Sequence, residues 1–246
     1  MNDALLDWYA ANRRDLPWRR TTDPYAILVS EVMLQQTQVA RVIPRYEAWL
    51  ERWPTARSLA RAPVADVLTE WVGLGYNRRA LRLREACAFV AQRGWPQDLT
   101  ELPGVGAYTA AALAAFAFGR DTVALDTNVR RVFRRLGREL RPRAGEGPLF
   151  NQATIELGAL VCRARNPRCD ACPLKSACAW DGDPEVERAP AVRFENTDRW
   201  VRGRVVAALA AGEGLPQVSE ERLERALRGL VRDGLVQRDG DLVRLG

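Results

Sequence analysis

Residues 102–112 read Leu-Pro-Gly-Val-Gly-Ala-Tyr-Thr-Ala-Ala-Ala. Two glycines one residue apart turn the chain tightly, and the alanine-rich run beyond them reads as a helix over 109–118. Backbone N–H groups at such a helix start can hold a phosphate. The turn alone is weak evidence, because Gly-x-Gly often does no more than reverse a chain. Its context is stronger. Asp126-Thr-Asn128 leads into Arg130, Arg131, Arg134, Arg135 and Arg138, and residues 126–143 hold seven arginines against two acids, a local charge of +5. Arg131, Arg134, Arg135 and Arg138 share one helical face. A solvated face is the plain reading of such a helix, but next to a phosphate-cradling turn the charge favours DNA or RNA. Gly104, Val105, Gly106, Arg130 and Arg131 are the candidate backbone contacts.

Upstream of the turn, Ile27, Leu28, Leu34, Val39, Val42 and Ile43 recur at helical spacing from Asp23-Pro24 to Pro44. Glu31 falls on that apolar stripe, in Ser30-Glu-Val-Met-Leu-Gln-Gln-Thr-Gln38. Folding places its carboxyl in apolar surroundings, where desolvation raises the pKa and suits it to general-acid work. The alternative is a helix-end carboxylate paired with one of many arginines. Gln35, Gln36 and Gln38 are neutral amides able to bond base edges, and equally ordinary on an exposed helix face. Further helices are expected at 45–53, 63–72, 78–93, 128–136 and 150–161, joined by short Pro- or Gly-marked connectors.

Downstream, four cysteines fall as Cys162-x6-Cys169-x2-Cys172-x5-Cys178. Structural zinc usually takes two CxxC pairs or adds histidine; this spacing has one CxxC and the chain has no histidine. Four thiolates in a compact loop suit a [4Fe–4S] cluster at least as well. Cys87 stands apart in an apolar segment and reads as a buried small hydrophobe.

Composition narrows the rest. Without histidine there is no Ser-His-Asp triad, no Cys-His pair and no histidine-ligated metal. Among 37 basic residues Lys175 is the one lysine, which leaves carboxylates, tyrosine and cysteine for acid–base work. The net charge of +6 favours a polyanionic partner. The first residues carry acids and arginines where a signal peptide has an apolar core, and no apolar run is long enough to span a bilayer. The expectation is a cytoplasmic, nucleoid-associated monomer. Ala189-Pro-Ala191 marks a linker, after which two helices and a hairpin about Asp239-Gly240 are expected. From Glu195 onward nine arginines balance nine acids. Neutrality favours packing or protein contact over DNA reading for this tail.

These residues resemble the helix-hairpin-helix DNA glycosylases. That superfamily joins an LPGVG hairpin to an aspartate about twenty residues later and then to a C-x6-C-x2-C-x5-C iron–sulfur loop; the likeness runs from about Leu5 to Cys178. Within it, Leu16-Pro-Trp-Arg19, Asp23-Pro-Tyr25, Val29–Gln38, Gly73-Leu-Gly-Tyr76 and Phe150-Asn-Gln152 ahead of Glu156-Leu-Gly158 look like the adenine DNA glycosylase (MutY-type) branch. The endonuclease III branch has a Schiff-base lysine where Tyr108 stands.

The resemblance implies a mainly α, two-lobed glycosylase fold over 1–182. A six-helix module spans about 20–125, and a cluster module joins the N-terminal helix to 126–182. A linker at 183–198 and a winged-helix-like module at 199–246 follow. It implies a monofunctional enzyme that flips adenine from a mispair with 8-oxoguanine or guanine in double-stranded DNA. Glu31 would protonate the base and Asp126 would stabilise the oxocarbenium-like sugar, supported by Tyr108 and Asn128. Trp18, Arg19, Leu34 and Gln152 would line the adenine pocket, while Gln36 and Tyr76 probe the opposite base. Cys162, Cys169, Cys172 and Cys178 would hold a [4Fe–4S] cluster. The chain departs from the branch at Asn77, usually tyrosine, and at Thr127, usually glycine. Its tail also does not resemble the Nudix-like domain of many members. The competing readings are a thymine or uracil mismatch glycosylase and a non-catalytic iron–sulfur DNA-binding or redox-sensing protein.

Overall fold

The computed structural model describes residues 1–182, 192–240 and 242–246. Among them the helices are α1 (Asn2–Asn12), α2 (Pro24–Leu34), α3 (Val39–Arg52), α4 (Ala56–Arg61), α5 (Val64–Trp71), α6 (Arg78–Arg93), α7 (Ala107–Phe118), α8 (Thr127–Leu136), α9 (Gly147–Leu160), α10 (Asp198–Ala211) and α11 (Glu220–Arg232). Strands β1 (Val236–Asp239) and β2 (Leu242–Leu245) pair antiparallel, Val236 opposite Leu245 and Asp239 opposite Leu242. The chain is therefore mainly α. No described helix is long and apolar enough to cross a membrane.

Contacts divide the chain into two units: Met1–Glu31 with Asp98–Thr100 and Val105–Glu187, and Val32–Gln97 with Glu101–Gly104 and Arg188–Gly246. The core of the first is built on α8. Val129, Val132, Phe133 and Leu136 recur at helical spacing and are buried, whereas Arg130 and Arg134 between them are exposed. That stripe packs with Leu5 and Tyr9 of α1 and with Phe150, Ala153 and Leu157 of α9. Gly158 sets how closely α8 and α9 approach, because a Cβ there would lie 2.7 Å from the Cβ of Asn128.

In the second unit Trp49 of α3 meets Trp53 and Trp71 edge to face, with centroids 4.7 and 5.4 Å away. α10 packs on α5, on α11 and on β2. Val201, Val205, Leu227, Leu230 and Leu235 are buried there.

The expected helical run through Glu31 needs correction. The apolar stripe through Glu31 does not run as one helix to Pro44: α2 stops at Leu34, Gln36 takes a left-handed φ of 55°, and Pro44 lies inside α3. Burial of Val42, Tyr46 and Trp49 on one face holds α3 together across the missing proline N–H. The glutamines thus occupy a break between helices, not a helix face. α10 starts at Asp198, where the Thr197 hydroxyl caps it by accepting from the Trp200 amide at 3.3 Å. α4, which no apolar period announces, is closed by a Thr55–Ser58 capping box. Most of the expected linker, residues 183–191, lies outside the described residues.

Candidate active site

Asp126 is the N-cap of α8. Its Oδ1 accepts from the Val129 amide at 2.6 Å and its Oδ2 from the Asn128 side-chain amide at 2.8 Å. The segment entering it is clamped by buried Asn151, which accepts from the Ala124 amide and donates to the carbonyls of Thr122 and Gly147, each at 2.7 Å. A carboxylate so bonded is fixed in direction and half-exposed.

Glu31 comes to the same place from α2 and is 6% exposed. Burial pushes its carboxyl up to about 7; the Tyr108 hydroxyl, hydrogen-bonded to it, works against that rise, and the nearby Asp126 charge adds to it. The Tyr108 hydroxyl is pushed above its ordinary range by burial first, then by Glu31 and Asp126. Tyr108 therefore remains a hydrogen-bond donor. The structure thus brings Glu31, Tyr108, Asp126 and Asn128 together: a buried carboxyl with a raised pKa, the hydroxyl bonded to it, a second carboxylate fixed in direction and the amide that supports it.

Arg19 ends a 3₁₀ turn, Pro17–Arg19, that also carries half-buried Trp18. Its guanidinium reaches fully buried Glu156 at 2.8 Å and the Arg14 carbonyl at 2.9 Å. Arg14 binds the same carboxylate through its side chain at 2.7 and 2.9 Å and through its amide at 2.9 Å. Burial alone would raise the Glu156 pKa, but the hydrogen bonds from Arg14 and Arg19 outweigh it and hold the carboxyl at about 2. Gln152, one helical turn earlier, accepts from the Tyr9 hydroxyl at 2.6 Å.

The arginine face of α8 is less open than its spacing suggests. Arg135 is 3% exposed, with its guanidinium 4.6 Å from the Trp180 ring and donating to the Arg163 carbonyl at 2.8 Å. Arg131 donates to the carbonyls of Cys162 and Gly158 at 2.7 Å and to the Asn128 side chain at 2.8 Å. The basic stripe is corrected accordingly. These two charges brace the fold, Arg131 joining Asn128 to the cysteine loop, while Arg130, Arg134 and Arg138 are exposed. Gly104, at φ 77°, and Gly106, the N-cap of α7, are also exposed, and Val105 between them is buried.

Cys162, Cys169, Cys172 and Cys178 are unbridged and line a cavity of about 310 Å³ with Arg135 and Trp180. Burial first, then its three thiol neighbours, push the Cys172 thiol above its ordinary value. Among the described residues no three Cys, Asp or Glu side chains converge as the ligands of one ion do. Cys87 lies apart and buried, its thiol pushed up to about 12 by burial.

In the second unit, Leu34 is half-buried at the end of α2, and Gln36 and Tyr76 are exposed with left-handed backbones, φ 55° and 48°. Arg79 fixes both turns. It donates to the carbonyls of Val32, Gln35, Leu74 and Gly75 at 2.6–2.9 Å, and burial lowers its pKa to about 10.

The HhH-GPD superfamily base excision DNA repair protein profile matches residues 29–145. Adenine DNA glycosylase of Mycolicibacterium smegmatis is 44% identical across 96% of this chain and 92% of its own. The Mycobacterium tuberculosis enzyme is 43% identical across 96% and 90%. The chain belongs to the adenine DNA glycosylase family. The human adenine DNA glycosylase is 42% identical over 71% of this chain and 38% of its own. Solved structures give the same superfamily fold: a thermostable thymine-DNA glycosylase has a TM-score of 0.68 at 27% identity, over 73% of this chain and 94% of that one. Endonuclease III in a non-covalent DNA complex scores 0.62 at 25%, over 72% and 92%.

For a member of the adenine DNA glycosylase family, three supporting residues escaped the sequence reading: Glu156, Asn151 and Arg79. Glu156 and Asn151 lie within the phrases Glu156-Leu-Gly158 and Phe150-Asn-Gln152 that carry the resemblance. Arg79 carried no signal among so many arginines.

Proposed function

We propose that this adenine DNA glycosylase of base excision repair hydrolyses the N-glycosidic bond of adenine mispaired with 8-oxoguanine or guanine in duplex DNA. The observation that carries the reading is Glu31: a fully enclosed carboxyl lifted to about 7 beside a second carboxylate. With its carboxyl near 7, Glu31 keeps its proton in about half of the molecules at neutral pH, and that form gives it to the flipped adenine, most simply at N7, so the base leaves neutral. Tyr108 orients that acid. Asp126, aimed by Val129 and Asn128, faces the positive charge that develops on the sugar and stabilises it directly or through a transient covalent bond. Trp18, Arg19 and Gln152 meet the flipped adenine, with Glu156 keeping Arg19 in place, and Leu34 is a further candidate contact to the base. Gln36 and Tyr76 meet the opposite base. Gly104–Gly106 and Arg130 hold the phosphate backbone. Arg131 acts from behind, on Asn128.

The four cysteines fit a [4Fe–4S] cluster. They line one cavity, and four thiolates without a histidine are the ligands such a cluster takes. Such a cluster would serve as a structural tie for the loop that Arg131 and Arg135 join to α8. The tail, two helices and a hairpin, reads as a winged-helix-like module.

The reaction is monofunctional. Tyr108 offers no amine, and Lys175, in the cysteine loop, is paired with Asp170 at 2.6 Å. The test is a panel of duplexes bearing A, T, U or hypoxanthine opposite G or 8-oxoguanine. Adenine release leaving alkali-labile sites, with little borohydride trapping, is expected. Faster release of thymine or uracil would overturn the target base, and stoichiometric trapping would overturn the monofunctional mechanism.

A further inference from the structure

The tail is neutral in sum, yet its charges are segregated. α10 carries Arg199, Arg202 and Arg204 against one acid, Asp198, and Arg225 of α11 holds that acid at 2.9 Å. The arginines lie toward the Gly73–Asn77 loop of the same unit. Arg199 is stacked between two aromatic rings, its guanidinium 4.7 Å from the Tyr76 centroid and 4.8 Å from that of Phe194. It also donates to the Tyr76 hydroxyl. Asp233 ties the same surfaces, paired with Arg202 at 2.5 Å and Arg78 at 3.8 Å. Beside the stack opens a cavity of about 920 Å³, lined by Gln36, Tyr76 and Arg78 and, from the tail, by Phe194, Arg199 and Arg204. Its acid, Asp233, is already neutralised by those pairs.

We propose that Arg199 and Phe194 are specificity-determining residues. With Gln36 and Tyr76 they form a receptor for the purine nucleotide on the strand opposite the excised adenine. Rings and a planar guanidinium stack a base face whatever its identity, an amide reads its edge, and Arg78 and Arg204 meet its phosphates. Both left-handed turns, held by Arg79, leave Gln36 and Tyr76 exposed at this cavity, with Arg199 stacked on the Tyr76 ring. The tail's neutral total is then no argument against DNA contact at this cavity, because Asp198 and Asp233, the acids beside these arginines, are already paired. The inference rests on the reading that Gln36 and Tyr76 meet the opposite base.

The experiment uses the full chain with Arg199→Ala, Arg199→Lys, Phe194→Ala and, as a control on the outer face of α11, Arg228→Ala. Single-turnover adenine release is measured opposite guanine, opposite 8-oxoguanine and opposite a reduced abasic site, together with thermal melting. Arg199→Ala and Phe194→Ala are expected to lower the guanine-to-abasic rate ratio about tenfold, the worth of one base–aromatic stack. The rate opposite the abasic site and the melting temperature should stay at the wild-type level. Arg199→Lys keeps the charge but not the plane and should resemble the alanine variant; Arg228→Ala should change nothing. An unchanged ratio would overturn the proposal, as would parallel loss of both rates with lowered melting, which means a structural brace. Wild-type protein releasing no adenine would instead refute the activity. Equilibrium binding of the same duplexes then judges the receptor alone, with equal affinity of variant and wild type counting against it.

Discussion

Glu31 and Tyr76 mark two ways of using a polar side chain. Around Glu31 the first unit encloses its charged groups and ties them together: Glu31 with Tyr108, Asp126 with Asn128, Glu156 with Arg14 and Arg19. Around Tyr76 the second unit leaves its polar and aromatic groups exposed, on left-handed backbone pinned from behind by Arg79. Proton transfer needs a low-dielectric setting that shifts a pKa, while recognition needs reach toward a partner. The difference teaches that the two tasks demand opposite solvent access, and the two units offer one each.

The largest effect should follow from Glu31→Gln, which keeps shape but removes the acidic proton. Single-turnover adenine release should fall about 1,000-fold while mispair affinity changes little, since phosphate contacts persist. Residual release above a tenth of wild type would remove Glu31 from the acid role. Asp126→Asn should cost about 100-fold. Asparagine still caps α8, so unchanged melting is expected alongside the lost rate. If melting collapses, Asp126 matters for folding more than for charge.

Glu156→Gln probes the enclosed side by stability. The Glu156 carboxyl holds at about 2 in the folded chain against an ordinary 4.5, so its stabilisation is present above 4.5 and is lost as pH falls toward about 2. Urea titration should show about 3 kcal/mol lost at pH 7, where two arginines keep their burial without the countercharge, and much less near pH 3. Equal loss at both values would mean the pair contributes packing alone. The smallest effect belongs to the exposed side. Arg79→Ala frees both recognition turns, and release opposite guanine should drop about fivefold with proton exchange at Gln36 and Tyr76 amides accelerated. Unaltered exchange would show that the turns hold their shape without it.

Much of this was legible in the residue order. The Leu102–Gly106 turn, the apolar stripe carrying Glu31 and the four-cysteine spacing each combine a residue type with a local period, and local patterns survive in sequence. What stayed hidden depends on distant partners. Glu156 meets Arg14 and Arg19 from the other end of the unit, and Arg79 meets backbone carbonyls, which leave no residue signature. Arg131 and Arg135 have the spacing of a solvent face, and carbonyls of the cysteine loop turned them inward. Pro44 read as a stop because proline removes a helix bond, and a buried Val42–Tyr46–Trp49 face overruled it.

The pH dependence of single-turnover adenine release tests the central claim most directly. In the unfolded chain Glu31 ionises near 4.5 and in the folded chain near 7. As pH rises between those values the folded state keeps a proton that the unfolded state has lost, so burial of Glu31 costs stability that reaches about 3 kcal/mol above pH 7. The same proton is the one donated. Release should therefore be highest on the acid side and decline through about 7, and the residual rate of Glu31→Gln should lack that decline while its melting temperature exceeds wild type at pH 8 but not at pH 4. A wild-type rate that is flat from pH 5 to 9, or a Glu31→Gln variant that retains the decline, would contradict a buried, proton-holding Glu31 as the acid.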